Sequence, residues 1–333
     1  MMPILSVTDA RDLIRSALIG SGTSPENAAY FTEAILDTEL SGLEGHGFYW
    51  LQFYCQHLRS GKVDGKAVPR VDAISDVSFR VDAAHGFAHP AIEAGFQRLI
   101  PAAKAHGVAA MGVYNSYNAA TLGYHTGVLA RAGLLGIGAT NAVPTVAPVG
   151  GRVPIIGTNP ISYAVPAPGG DIAFLVDQSA TAVAWTAVKR ASEAGEPIPL
   201  GWALDPNGQP TTDADAGLAG SMAPAGGVKG FSIGLLVEVL CAALAGGHLG
   251  PDQGSFTDND GRPIDNGQFF LALNPDTFSG GGFSSTIATL MTSITAQEGA
   301  RLPNARRKAN QERLSREGLT IDAELLERLR AFA

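Results

Sequence analysis

Across 333 residues the chain carries 31 acidic against 23 basic side chains and a formal charge of −8, a balance unsuited to a surface that must replace phosphate counterions along a nucleic acid. Hydrophobic residues make up 45%, yet no apolar run reaches the roughly 18 residues that a membrane-spanning helix needs, and the longest, 231–245, is broken by Glu238. The two cysteines, Cys55 and Cys241, show no CxxC or Cys/His spacing and read as buried free thiols rather than a disulfide or a metal site.

The opening residues MMPILSVTDARDLI lack the basic region and long apolar core of a secretory signal, so a cytoplasmic protein is expected. Ser6 or Thr8 can cap a first helix over 10–19, which Gly20-Ser-Gly ends. Ser24-Pro25-Glu26 opens a second helix that keeps its apolar face to Leu40. Glycines then flank His46 and leave its imidazole at the mouth of a turn, with Phe48, Tyr49, Trp50, Phe53 and Tyr54 behind it as a dry floor. Histidine is suited to giving a proton near neutral pH; a purely structural histidine in a glycine turn is the competing reading. Helical spacing continues to Arg59. Alternation makes 77–82 a strand, His89-Pro90 opens a helix that Gly107 stops, and 108–114 reads as a buried strand. A helix over 121–132 and a strand after Gly133 complete a strand–helix–strand alternation that points to a layered α/β core.

The stretch 140–166 is punctuated by proline and glycine, which predicts short strands joined by stiff turns. Its polar residues are bunched at Thr140-Asn141 and Thr158-Asn159, where a ligand can reach them; an ordinary connector is the alternative. Residues 172–177 read as a buried strand ending on Asp177, and Gln178-Ser179-Ala180-Thr181 as the start of a helix. Asp177 is then either a ligand contact at a strand-to-helix junction or a helix cap. Residues 204–210 form a surface turn. A glycine-rich turn, 224–231, precedes the most apolar helix, 232–244; Lys229 either strengthens an anion site at that helix start or is a solvated side chain on a plain turn. Neither GxxxxGK[ST] nor a GxGxxG between strand and helix occurs, so a nucleotide here would bind otherwise than in a Rossmann fold. A strand over 268–274 and a helix over 283–297 follow. Residues 301–308 are the densest basic cluster, a solvated loop or a phosphate clamp, before a last helix over 322–332.

Segments 42–54, 113–123, 140–166, 226–247 and 302–307, in this order, resemble the type-2 malate/L-lactate dehydrogenase family; VAPVGGRVPIIGTNPISYAVP and GGVKGFSIGLLVEVLCAALAGG carry the most specific likeness. That family reduces 2-oxo acids or cyclic imino acids with NAD(P)H and includes sulfolactate, ureidoglycolate and diketogulonate dehydrogenases and Δ1-piperideine-2-carboxylate/Δ1-pyrroline-2-carboxylate reductases. The resemblance implies an α/β fold with a non-Rossmann mixed β-sheet flanked by helices over 76–299. It also implies a helical domain formed by the two chain ends, 1–75 with 300–333, and a homodimer with its sites near the subunit interface. It casts His46 as the proton donor, also touching the cofactor, and Thr158 as a substrate contact. Cofactor contacts fall on Asn118, Ala119, Ala120, Thr121 and Leu122, on Asp177, Gln178 and Ser179, on Val228 and Lys229, and on Leu302, Pro303, Asn304, Arg306 and Arg307.

The chain departs from the family pattern at four places. Gly45 replaces a serine beside the histidine, Trp50 an arginine, Asn118 a histidine, and Ala187 a charged residue. Trading a guanidinium for an indole makes a small dicarboxylate less suitable than a bulkier or less anionic substrate, with Trp50 lining its site and Arg152 as a substitute anion partner. Without the serine, His46 needs another orienting group, and Glu44 is the nearest carboxylate in sequence. The resulting expectation is an NAD(P)H-dependent reduction of a 2-oxo acid to a 2-hydroxy acid; Arg306 and Arg307 can hold a 2′-phosphate, which favours NADP over NAD. Cyclic imino-acid reduction and a cofactor-binding homologue with lost catalysis are the alternatives.

Overall fold

Seven segments pair into one mixed sheet: β1 (Arg70–Ser75), β2 (Ser78–Asp82), β3 (Val108–Ser116), β4 (Leu135–Thr140), β5 (Ile161–Pro166), β6 (Ile172–Gln178) and β7 (Asn266–Leu273). The strand order is β1-β2-β3-β7-β4-β5-β6. Only β2 and β3 pair parallel; every other neighbour is antiparallel. The structure, a computed structural model, describes residues 2–43, 45–259 and 262–333.

The placement of β7 decides where a ligand can sit. It enters between β3 and β4, antiparallel to both, so those two strands run the same way, with the helix Leu122–Arg131 connecting them. β6 shares their direction because two antiparallel steps separate it from β4. The carboxyl ends of β3, β4 and β6 therefore gather on one edge, the usual place for a ligand crevice in α/β sheets.

Both faces of the sheet are covered. Phe270 and Ala272 pack with Met111 and Val113 beneath the helices Ala88–His106 and Leu122–Arg131. Phe269 lies on the opposite face with Ala139, against Val237 and Cys241. That second helix comes very close. A Cβ on Gly267 would lie 2.0 Å from the Cys241 carbonyl oxygen, and one on Gly112 would lie 2.8 Å from Ala245 Cα. The helix starts at Val228 rather than 232, and after Glu238 it widens into a π-helical turn, Val239–Leu244.

Local signals placed the helices of the chain ends. Ser6 Oγ accepts the Asp9 N–H at 3.1 Å to start Val7–Gly20, and Ser24 Oγ accepts that of Asn27 at 3.2 Å to start Pro25–Leu40. Gly61 and Gly107, at φ 76° and 85°, stop the helices Phe48–Ser60 and Ala88–His106. A two-residue pairing, Ile4 with Thr320 and Leu5 with Leu319, ties the two ends together. Ile14, Phe31, Ile35 and Leu51 share one apolar cluster with Leu319, Leu325 and Leu329 of the C-terminal segment. No helix among the described residues is long and apolar enough to cross a membrane.

A second element also differs from expectation. Residues 178–181 do not start a helix; helical structure begins at Trp185. The backbone there finds partners in neighbouring loops instead: Ala180 N–H donates to Thr158 O at 2.8 Å, and Thr181 bridges to Pro224. The Thr181 hydroxyl donates to Val183 O at 2.7 Å and bonds Ser179 Oγ at 2.9 Å, a local network that competes with a helical turn.

Candidate active site

A cavity of about 1130 Å³ opens where the carboxyl ends of β3, β4 and β6 meet the helical layer of the chain ends. His46 lines it from a turn whose shape is set by one buried carboxylate. The Phe48 N–H donates to Glu39 Oε1, and the His46 N–H donates to Leu43 O at 2.8 Å. Gly47 is needed for close approach: a Cβ there would lie 2.0 Å from Glu39 Oε1. Gly45 is also tight, because its Cβ would lie 3.2 Å from the hydroxyl of Thr186, another cavity residue. Glu44, the orienting partner expected from sequence, lies outside the described residues.

Charge at the site is concentrated in one ion pair. Arg307 Nη1 lies 3.2 Å from Asp177 Oδ2, and that same oxygen accepts the Gly123 N–H at 3.1 Å, in the first turn of Leu122–Arg131. Burial holds the His46 imidazole below the ordinary histidine value; Asp177 pulls it upward and Arg307 pushes it further down. Histidine, carboxylate and guanidinium thus share one electrostatic neighbourhood.

The loop from Asn118 to Leu122 is fastened from within and below. Asn118 Oδ1 accepts the Ala120 N–H at 2.6 Å, which holds Ala120 at a positive φ of 52°. Thr121 shares a hydroxyl–hydroxyl bond with Thr38 at 2.9 Å, and His125 Nε2 donates to Ala119 O at 3.2 Å. In the stretch 140–166, Thr140, Asn141 and Thr158 line the cavity. Asn159 does not; fully buried, it donates to Glu238 Oε2 at 2.8 Å and accepts the Ala142 N–H at 3.1 Å, tying the stretch to the helix behind it.

His46, Trp50, Asn118, Ala119, Ala120, Thr121, Leu122, Thr158, Asp177, Gln178, Ser179 and Arg307 are thus brought together around one space. Arg152 is not part of the lining: it is exposed, beside the Asp205–Gln209 turn, where it attracts the Asp205 carboxylate. Val228 and Lys229 are exposed at a helix start just beyond the rim, three and four residues after the lining residue Ala225. Leu302, Pro303 and Asn304 lead into the helix Ala305–Glu317, which holds Arg306 in its first turn and from which Arg307 alone reaches the lining.

Sequence reasoning missed Glu39, Thr186, Trp185 and Phe256. Only Glu39 left a signal: it continues the buried stripe of Ala28, Phe31 and Ile35 at helical spacing, where a lone carboxylate needs a partner.

Residues 5–330 match the family described as malate/L-lactate dehydrogenase. The chain belongs to that family. This malate/L-lactate dehydrogenase homologue is an NAD(P)-dependent oxidoreductase. It is 41% identical over 333 residues to the (2R)-3-sulfolactate dehydrogenase (NADP(+)) of Chromohalobacter salexigens, covering 100% of this chain and 99% of that one. It is 36% identical to the Δ1-pyrroline-2-carboxylate reductase of Ancylobacter novellus, covering 98% and 97%. The crystal structure of Δ1-piperideine-2-carboxylate reductase from Pseudomonas syringae superposes with a TM-score of 0.91 at 33% identity, covering 99% of this chain and 100% of that one. The dehydrogenase fold is therefore shared end to end.

The residues present fit a nicotinamide dinucleotide. The helix Leu122–Arg131 starts with its Gly123 N–H already bonded to Asp177, whereas Val228–Glu238 starts without a side-chain cap, leaving N–H donors for phosphate oxygens. Gly226 and Gly227, at φ 64° and 65° with nothing within 4 Å of a Cβ, leave the second of these starts open, and Lys229 adds a cation there.

Proposed function

We propose that this cavity reduces a 2-oxo acid to the 2-hydroxy acid, with His46 giving the proton to the carbonyl oxygen. The observation that carries the reading is a histidine fixed by its own turn at the cavity wall, in the field of the Asp177–Arg307 pair. When bound, NAD(P)H supplies the hydride that arrives at C2. Asn118 to Leu122, Gln178, Ser179 and Arg307 hold the cofactor, Val228 and Lys229 meet its phosphates from the rim, and Thr158 and Trp50 contact the substrate. Leu302, Pro303 and Asn304 frame the approach to Arg307. Arg306, exposed next to Arg307, suits a 2′-phosphate and favours NADP, as does the cofactor named for the Chromohalobacter relative.

Proton donation of this kind contributes about 10²–10⁴-fold to rate. His46→Asn is therefore expected to lower kcat by that factor while NADPH still raises the melting temperature as in the wild type. Turnover within a few-fold of wild type would remove His46 from the role.

A second reading, reduction of a cyclic imino acid, is favoured by the relatives at 33–36% identity named as pyrroline-2-carboxylate reductases. The same imidazole would then protonate an imine nitrogen. Comparing pyrroline-2-carboxylate with 2-oxo acids, with both NADPH and NADH, separates the two.

The protein acts as a homodimer in this reading. The helical segment 228–244 presents Ile233, Leu235, Leu236, Val239 and Leu244 to solvent in the single chain, and the helix Phe283–Thr295 buries none of its residues. Exposed apolar helix surface of this kind suits a second copy.

A further inference from the structure

The cavity wall beside His46 is aromatic. Trp50 and Tyr54 come from the helix Phe48–Ser60, Trp185 from the first turn of Trp185–Ala194, and Phe256 from a loop far along the chain; all four line the cavity. Trp50 meets Phe256 at 4.9 Å between ring centroids, edge to face at 77°, and stands 6.5 Å from Trp185. Tyr49 and Phe53, at 5.6 and 4.9 Å, pack against Trp50 from its own helix.

The Phe256 side of the wall is anchored two residues further on. Lys62 Nζ donates to Asp258 Oδ1 at 2.8 Å, and His57 Nε2 donates to the Asp258 carbonyl at 3.1 Å. The His57 ring nitrogen on the other side can then accept the Tyr117 hydroxyl, so both ends of that imidazole are used. Three separate segments thus hold large, stiff rings on one side of the space, a surface that takes an apolar group with little loss of conformational freedom.

Charge points the same way. Among the described residues lining the cavity, the side chains able to carry charge near neutral pH are His46, Asp177 and Arg307. Arg307 is already matched by Asp177 at 3.2 Å, and Arg152 lies exposed outside the cavity. One substrate carboxylate can be met by the Thr158 hydroxyl and the donors of the cavity wall around it. A second acidic group would be buried against indole and phenyl rings with no cation of its own, an arrangement that is strongly penalised.

We infer that the substrate is a monocarboxylate whose reacting carbon bears a bulky uncharged side chain, aryl or branched alkyl, seated against Trp50, Trp185 and Phe256. The inference rests on the reduction proposed above and names its substrate class: aryl- and branched-alkyl-substituted 2-oxo acids rather than dicarboxylates or sulfonates. It separates this chain from its 41%-identical relative, whose named substrate, 3-sulfolactate, carries a second anion.

The test uses the whole protein with NADPH. kcat/KM is measured for phenylpyruvate and 4-methyl-2-oxopentanoate against oxaloacetate and sulfopyruvate, and calorimetry follows binding of the same acids with NADP+ present. The expected result is a preference of about 10²-fold for the uncharged side chains, the upper range of what pocket contacts supply. Trp50→Arg should raise KM for phenylpyruvate at least about 10-fold with a smaller change in kcat, and improve kcat/KM for oxaloacetate; Trp50→Phe, which keeps an aromatic wall, should retain the preference. A wild-type preference for oxaloacetate or sulfopyruvate overturns the inference, and so does loss of the preference in Trp50→Phe. If no 2-oxo or imino acid is reduced, the reduction itself is wrong, and calorimetry decides the wall separately: phenylpyruvate binding more tightly than oxaloacetate upholds it, equal or weaker binding overturns it.

Discussion

The Glu39 carboxylate accepts the backbone N–H of Phe48, two residues beyond His46, and so fixes the first turn of the helix that follows the imidazole. Removing it with Glu39→Ala leaves a buried N–H without its acceptor, at a cost of about 1–3 kcal/mol in stability. Displacing the imidazole by about 1 Å is worth up to roughly 10² in rate. Glu39→Ala and Gly47→Ala are therefore both expected to lower kcat by one to two orders of magnitude, whereas Glu39→Gln, which keeps an acceptor oxygen, retains most activity. Equal rates for Ala and Gln at position 39 would show that the carbonyl-type acceptor is not what matters.

Asp177 and Arg307 act on His46 with opposite sign, so their variants should move a pH profile in opposite directions. Reduction uses the protonated imidazole, and its rate is expected to fall as pH rises through a pKa that burial sets below 6.5. Oxidation of the hydroxy acid uses the neutral ring and should rise through the same break. Asp177→Asn removes a charge that favours the imidazolium and shifts the break to lower pH; Arg307→Gln shifts it to higher pH. Profiles of log kcat/KM against pH for the three proteins check this, and coincident breaks would contradict it.

Buried histidines should make the fold acid-sensitive. Burial lowers His57 and His125 to about 4, with Lys62 adding to the effect at His57, and it holds His89 well below the ordinary value. For His57 and His125 the unfolded chain takes up a proton near pH 6.5, whereas the folded chain does so only near 4. Stability is thus complete above about pH 6.5 and is lost as pH falls towards 4, at about 1.4 kcal/mol per pH unit for a fully buried ring such as His125. Among the described residues neither ring nitrogen of His89 has a hydrogen-bond partner, and the ring stacks on Phe31 at 4.3 Å. His89→Phe is expected to raise the urea midpoint at pH 5 more than at pH 7.5.

The apolar helix surface offers a test of assembly. Val239 is 52% and Leu244 62% exposed in the single chain, in the segment that also presents Leu236. Leu236→Glu together with Val239→Glu should convert a dimer to a monomer by light scattering while leaving far-ultraviolet circular dichroism unchanged. An unaltered mass would place the interface elsewhere.

The sequence by itself determined the features that are satisfied within a few residues. Ser6, Ser24 and Asp322 cap their helices, Gly61 and Gly107 stop theirs, and alternation marks the strand over 77–82, because caps, left-handed glycines and side-chain period are local. The glycines around His46 belong to the same class: they marked a turn, and a turn is there. Tertiary structure alone decided that β7 enters between β3 and β4, which turns three carboxyl ends to one edge. It also decided that 178–181 bonds to neighbouring loops instead of coiling, that Arg307 rather than Arg306 reaches Asp177, and that Trp50, Trp185 and Phe256 share one wall. Each of these depends on where a backbone N–H, a charge or a ring finds a partner distant in sequence, and neither periodicity nor composition carries that information.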